Sequence, residues 1–155
     1  MSTEPRPLPA TYAAIVFKGV DLEPELISAM LEAPPTLSYR RGDRYIIKDK
    51  PAERKFGLWV YSTRNMLNST SLEEHLAALE RILIGDVSLS PSRSLEKIQD
   101  LTKDCSITFR IDIFWYGRAG AKLPEVSRSF QYVVSAARGT IEMDLHRDDE
   151  STIAA

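Results

Sequence analysis

The feature that most constrains this chain is the alternation across residues 105–116. Ile107, Phe109, Ile111, Ile113 and Trp115 interleave with Thr108, Arg110, Asp112, Phe114 and Tyr116. A period of two puts the first set on one face of a strand and the second set on the other. One face is wholly apolar, whereas the other mixes charges with rings. A strand buried on both faces would read as an unbroken apolar run, so this one belongs to a sheet covered on one side only. That pattern points to a two-layer α+β sandwich.

The remaining elements read in the same terms. Residues 12–18 form a strand with Ala13, Ile15 and Phe17 on one face. A short helix follows, with Glu23 as candidate cap, Pro24 at its first position, Leu26, Ile27, Met30 and Leu31 on one stripe, and Pro34 and Pro35 as its stop. Residues 36–48, broken at Gly42 and Asp43, are strand material with a turn or bulge, and 55–63 are a firmer strand. Ser71 and Glu74 have the spacing of a capping box, opening a helix whose Leu72, Leu76, Leu79 and Leu83 are buried, up to Gly85. Ser90 and Pro91 restart a helix with Leu95, Ile98 and Leu101 inward. Pro124 opens a last helix bearing Val126, Phe130, Val133 and Ala137, which Gly139 ends in a left-handed stop. In a final strand Ile141, Met143 and Leu145 point inward.

The predicted order is β, α, β, β, α, α, β, α, β. It makes a mainly antiparallel sheet of about five strands with helices on one face, ferredoxin-like in its first part. One domain is expected over 11–146, between tails at 1–10 and 147–155.

Charge excludes some partners. Twenty Lys and Arg against 22 Asp and Glu leave −2, which gives no pull toward nucleic acid or an anionic membrane. No apolar run approaches the roughly 18 residues of a membrane span. The opening residues, with Pro5, Pro7 and Pro9, lack a signal-peptide core, and the sole cysteine, Cys105, suits a reducing interior, so the cytoplasm is the expected compartment. One cysteine and two histidines, His75 and His146, make neither a disulfide nor a closed zinc site; no cofactor is expected. Outside secretion, Asn68-Ser69-Thr70 is a polar loop rather than a glycosylation site.

Several segments taken in order carry a resemblance: Tyr12-Ala13, Leu22-Glu23-Pro24, Tyr39-Arg40-Arg41-Gly42-Asp43, Phe56-Gly57-Leu58-Trp59, and Ser71-Leu72-Glu73-Glu74-His75-Leu76. Together they resemble the bacterial family known as domain of unknown function 4279, over residues 12–145. The resemblance implies a small intracellular bacterial α+β domain and implies no reaction. The chain departs from the family pattern in its proline-bearing stretch at 5–10 and its charged loop at 43–54.

Candidate chemistry is sparse. A histidine can serve as base or ligand, but His75 lies at the edge of the buried stripe beside Leu79 and Ile82, which favours a half-buried, hydrogen-bonded histidine over a catalytic one. Glu142, Asp144 and His146 alternate on the last strand as three metal-type ligands, and a solvated face accounts for them without a metal. Cys105 reads as a small, inert core residue. Arg40, Arg41 and Asp43 around Gly42 form a turn able to grip an anion, or else a turn of solvated charges.

The second sheet face is more informative. Parity puts Arg110, Asp112, Phe114 and Tyr116 on it, joined by Tyr12 and Val16; Trp59 and Tyr61 join them if Phe56, Leu58 and Val60 pack inward. Trp, Tyr and Arg amid charges are the composition of protein interfaces. The competing view is that the 43–54 loop or a helix covers this face. The expected function is a non-enzymatic protein-binding module, of immunity or regulatory type, engaging a protein partner or a second copy through the open face. The alternative is a small-ligand-binding or hydrolase-like domain with Arg40, Arg41, Asp43, Trp59 and His75 around one pocket.

Overall fold

In the computed structural model, which describes residues 11–85 and 93–148, the alternating stretch forms the longest strand. In chain order the elements are β1 (Tyr12–Gly19), α1 (Pro24–Leu31), β2 (Leu37–Tyr39), β3 (Arg44–Ile47), β4 (Lys50–Glu53), β5 (Gly57–Ser62), α2 (Leu72–Ile84), α3 (Arg93–Thr102), β6 (Ile107–Gly117), α4 (Arg128–Ala136) and β7 (Thr140–Arg147). Five strands make one sheet in the order β2-β5-β1-β6-β7. All neighbours are antiparallel except β6 and β7, which run parallel. β1, α1 and β2 thus form a βαβ unit with β5 inserted between its two strands.

The core lies on one side of this sheet. Ala13, Ile15 and Phe17 of β1, Trp59 of β5, and Phe109, Ile111, Ile113 and Trp115 of β6 meet the apolar stripes of the four described helices. Phe130, Val133 and Val134 come from α4, Ile98 from α3, Leu72, Leu76, Leu79 and Leu83 from α2, and Ile27 and Leu31 from α1. Each fully buried side chain of this size contributes about 1.5–3 kcal/mol relative to leaving it in water. Gly139 lets Phe109 in close: a Cβ there would sit 2.4 Å from the Phe109 Cδ1.

Several local expectations are corrected. Ser71 sits at the N-cap of α2, yet its hydroxyl caps nothing. Ser69 takes the role instead: its hydroxyl donates to Glu74 and accepts the Ser71 amide at 3.1 Å. Helix α4 begins at Arg128 rather than Pro124, because the Ser127 hydroxyl oxygen accepts the Phe130 amide. The left-handed stop falls on Arg138 (φ 62°), with Gly139 donating to the Val134 carbonyl at 2.8 Å. Cys105 is exposed, at φ 63° in a turn where Asp104 accepts both the amide and the hydroxyl of Ser106. The Ser90-Pro91 helix start lies outside the described residues; α3 is described from Arg93.

The charged 43–54 segment is a hairpin. β3 and β4 pair around Lys48 (φ 51°) and Asp49 (φ 62°), a two-residue turn with both central residues left-handed. Its base is fixed by Arg54, whose guanidinium lies 4.0 Å from the Tyr39 ring and 3.8 Å from the Tyr45 ring. Its far end is open, with Ile46 78% exposed.

Candidate functional site

The described helices all pack on the core side, so the other face of the sheet is built from the alternate residues of each strand. Tyr12, Ala14, Val16 and Lys18 of β1 stand beside Phe114, Asp112, Arg110 and Thr108 of β6. Beyond β6, Asp112 pairs with Glu142 and Phe114 with Asp144 on β7. On the other flank Val16 pairs with Val60 and Val60 with Leu37. Apart from Lys18 and Thr108, these residues, with Arg64 and Met66 from the turn after β5, line a shallow depression of about 850 Å³. No residue of the 43–54 hairpin lines it. The floor is small and apolar, Ala14 and Val16 being nearly inaccessible.

Rings and charges surround that floor. Tyr12 and Phe114 stack at 5.3 Å, and the Phe114 ring lies 5.1 Å from His146. The Arg64 guanidinium sits 5.2 Å from the Tyr12 ring. Arg110 makes a forked pair with Asp112, at 2.6 and 3.1 Å, and approaches Glu142 at 3.8 Å. The Asp112 hydrogen bonds hold the Arg110 guanidinium more firmly protonated than an isolated arginine. Tyr116 donates its hydroxyl to Asp148, which raises its pKa.

Of the residues expected on this face, Tyr12, Arg110, Asp112, Phe114 and Tyr116 are there. Trp59 and Tyr61 are not. Trp59 pairs with Phe17 and Tyr61 with Ile15, both core-facing, and Trp59 is 0% exposed. Its indole N–H donates to the Ser28 hydroxyl of α1 at 3.0 Å. Leu58 and Val60, expected inward, line the open face instead. The stretch 57–62 is apolar at both parities, so alternation could not decide; the indole takes the side where a helix offers both volume and an acceptor.

The expected anion or ligand set is dispersed. Arg40 is held by Glu23 at 3.1 Å and by Glu25, and Arg41 by Asp21 at 3.1 Å. The Asp43 carboxylate accepts the Arg40 amide at 2.8 Å. These side chains tie the β2–β3 turn to the start of α1. His75 sits past the other end of β5 and is fully rather than half buried. Its Nε2–H donates to the Ser69 carbonyl at 2.8 Å, which leaves Nδ1 to accept the Thr63 hydroxyl at 2.6 Å. The Thr63 oxygen in turn accepts the Ala13 amide at 3.1 Å. Thus Arg40, Arg41 and Asp43 at one end of the sheet, Trp59 beneath α1 and His75 at the other end share no pocket. Glu142, Asp144 and His146 do not converge either: Glu142 leans toward Arg110, and His146 pairs with Asp144 at 2.7 Å. Among the described residues no three His, Cys, Asp or Glu side chains form a metal-type cluster.

Sequence reasoning missed Leu37, Leu58, Val60, Arg64 and Met66 as parts of this surface. Arg64 and Met66 lie in a turn with no periodicity to read.

Fold and surface together define a mixed α+β domain with a five-stranded sheet open on one side. The chain belongs to the family described as Domain of unknown function (DUF4279), whose model matches residues 9–148. No curated protein and no solved structure matches it. No described helix is long and apolar enough to cross a membrane.

Proposed function

We propose that this chain is a non-enzymatic protein-binding module, of immunity or regulatory type, that works in the bacterial cytoplasm by covering part of another protein with its open sheet face. The observation that carries the reading is the division of the sheet. The four described helices bury one side, and the other presents the stacked Tyr12–Phe114 pair over an apolar floor ringed by Arg64, Arg110, Asp112, Glu142 and Asp144. Aromatic anchors within a charged rim are what protein interfaces use. Nucleic acid is disfavoured, because three carboxylates against two guanidiniums repel a phosphate backbone.

The test is capture from a bacterial lysate followed by binding of the purified partner to wild type and to Phe114→Glu. The partner is expected to bind the variant at least tenfold more weakly while circular dichroism shows both chains folded. A partner that binds both equally overturns the assignment of the face.

A further inference from the structure

We propose that the occupant of the open sheet face is a second copy of this chain, related to the first by a two-fold axis along β1. The inference rests on the reading of that face as a protein-binding surface and adds the identity of the partner.

The ladder register supplies the argument. Side chains cross the face in rows. One row runs Arg64, Tyr12, Phe114, Asp144, since Tyr12 pairs with Phe114, Phe114 pairs with Asp144, and Arg64 lies over Tyr12. The next runs Ser62, Ala14, Asp112, Glu142, and a third runs Leu37, Val60, Val16, Arg110. β1 is the middle strand of the five. Half a turn about an axis along the middle strand keeps every row at its height and exchanges its two ends. Arg64 of each copy then faces the partner's Asp144, with the partner's Glu142 one row away.

That row is therefore self-complementary in charge: Arg64 stands at one end and Asp144 at the other, and the symmetry makes the pair twice. No intramolecular ion pair links Arg64 to Asp144 among those of the described residues. Along the axis Tyr12, Ala14 and Val16 of each copy meet the same residues of the partner. On the β5 side Leu37 and Met66, 52% and 60% exposed, come to lie against the partner's β6–β7 side. Five strands spaced about 4.8 Å apart over about 20 Å of length give roughly 500 Å² of face per copy, or about 1,000 Å² for the pair, the size of a weak, transient interface.

Sedimentation equilibrium of the full chain tests this. Wild type is expected to show a concentration-dependent monomer–dimer equilibrium. Arg64→Asp and Asp144→Arg should each weaken dimerisation at least tenfold, because each sets two like-charge pairs face to face. An equimolar mixture of the two variants should regain wild-type affinity, since the mixed dimer again holds two opposite-charge pairs. The milder Arg64→Gln and Asp144→Asn serve if a reversal fails to fold. A wild type that stays monomeric at its highest soluble concentration overturns the inference, as does a mixture that remains monomeric or a dimer that both variants leave unchanged. The wider reading of the face is judged separately by the captured partner, which needs no self-association.

Discussion

Tyr12 and Phe114 stack with ring centroids 5.3 Å apart and planes 15° from parallel, across the β1–β6 ladder on the side that no described helix covers. Strand register, not core packing, holds the pair together. Phe114→Ala is therefore expected to cost about 0.5–1.5 kcal/mol. Phe109, on the opposite face of the same strand, stacks on Phe17 inside the core. Its replacement by Ala is expected to cost about 3–5 kcal/mol. Urea midpoints of the two variants check the difference, and equal losses would mean that both faces are core.

The start of α2 gives a second prediction. Because the Ser71 hydroxyl makes no cap bond, Ser71→Ala should change stability by only a few tenths of a kcal/mol. Ser69→Ala removes the bonds to Glu74 and to the Ser71 amide and should cost about 1 kcal/mol. Denaturant midpoints in the reverse order would restore Ser71 as the cap.

His75 is a structural tie between α2, the loop before it and the end of β5. Replacing it by Ala leaves the Ser69 carbonyl without its donor and opens a cavity, an expected loss of about 2–4 kcal/mol. Nitrogen NMR should find the ring protonated at Nε2 with Nδ1 accepting. An Nδ1–H tautomer at neutral pH would contradict the network.

A pH dependence follows from Glu25. Its own backbone amide and then the Arg40 guanidinium hold its pKa below the usual carboxylate value. A depressed folded-state pKa stabilises the fold above the unfolded value and loses that contribution as pH falls through the folded one. Arg40→Ala should therefore move the Glu25 titration midpoint upward, and the stability gap between wild type and variant should close in acid. Carbon NMR of the side-chain carboxyl reads the midpoint; no movement would show the ion pair to be inconsequential.

How much could be read from the sequence depended on how unlike the two parities of each strand are. In β6 one parity is wholly apolar, so its faces, and with them Arg110, Asp112, Phe114 and Tyr116, were legible. In β5 both parities are apolar, and the Trp59 side chain was decided by tertiary packing beneath α1. The β3–β4 hairpin turns on Lys48 and Asp49 with no glycine to mark it, so it read as a charged loop. The Ser71–Glu74 spacing matched a capping box, yet Ser69, two residues earlier, reaches the same carboxylate first. That His75 is hydrogen-bonded was legible because it bordered the leucine stripe; its full burial was not.

Hydroxyl-radical footprinting of the assembled protein, whether self-associated or bound to a captured partner, tests the central claim most directly. Tyr12, Met66 and Phe114 report the open face, and Tyr132, 72% exposed on α4, reports the helix layer. The account predicts that assembly protects the first three from oxidation and leaves Tyr132 as reactive as in the isolated monomer. Protection of Tyr132 with unchanged labelling of Tyr12, Met66 and Phe114 would contradict it.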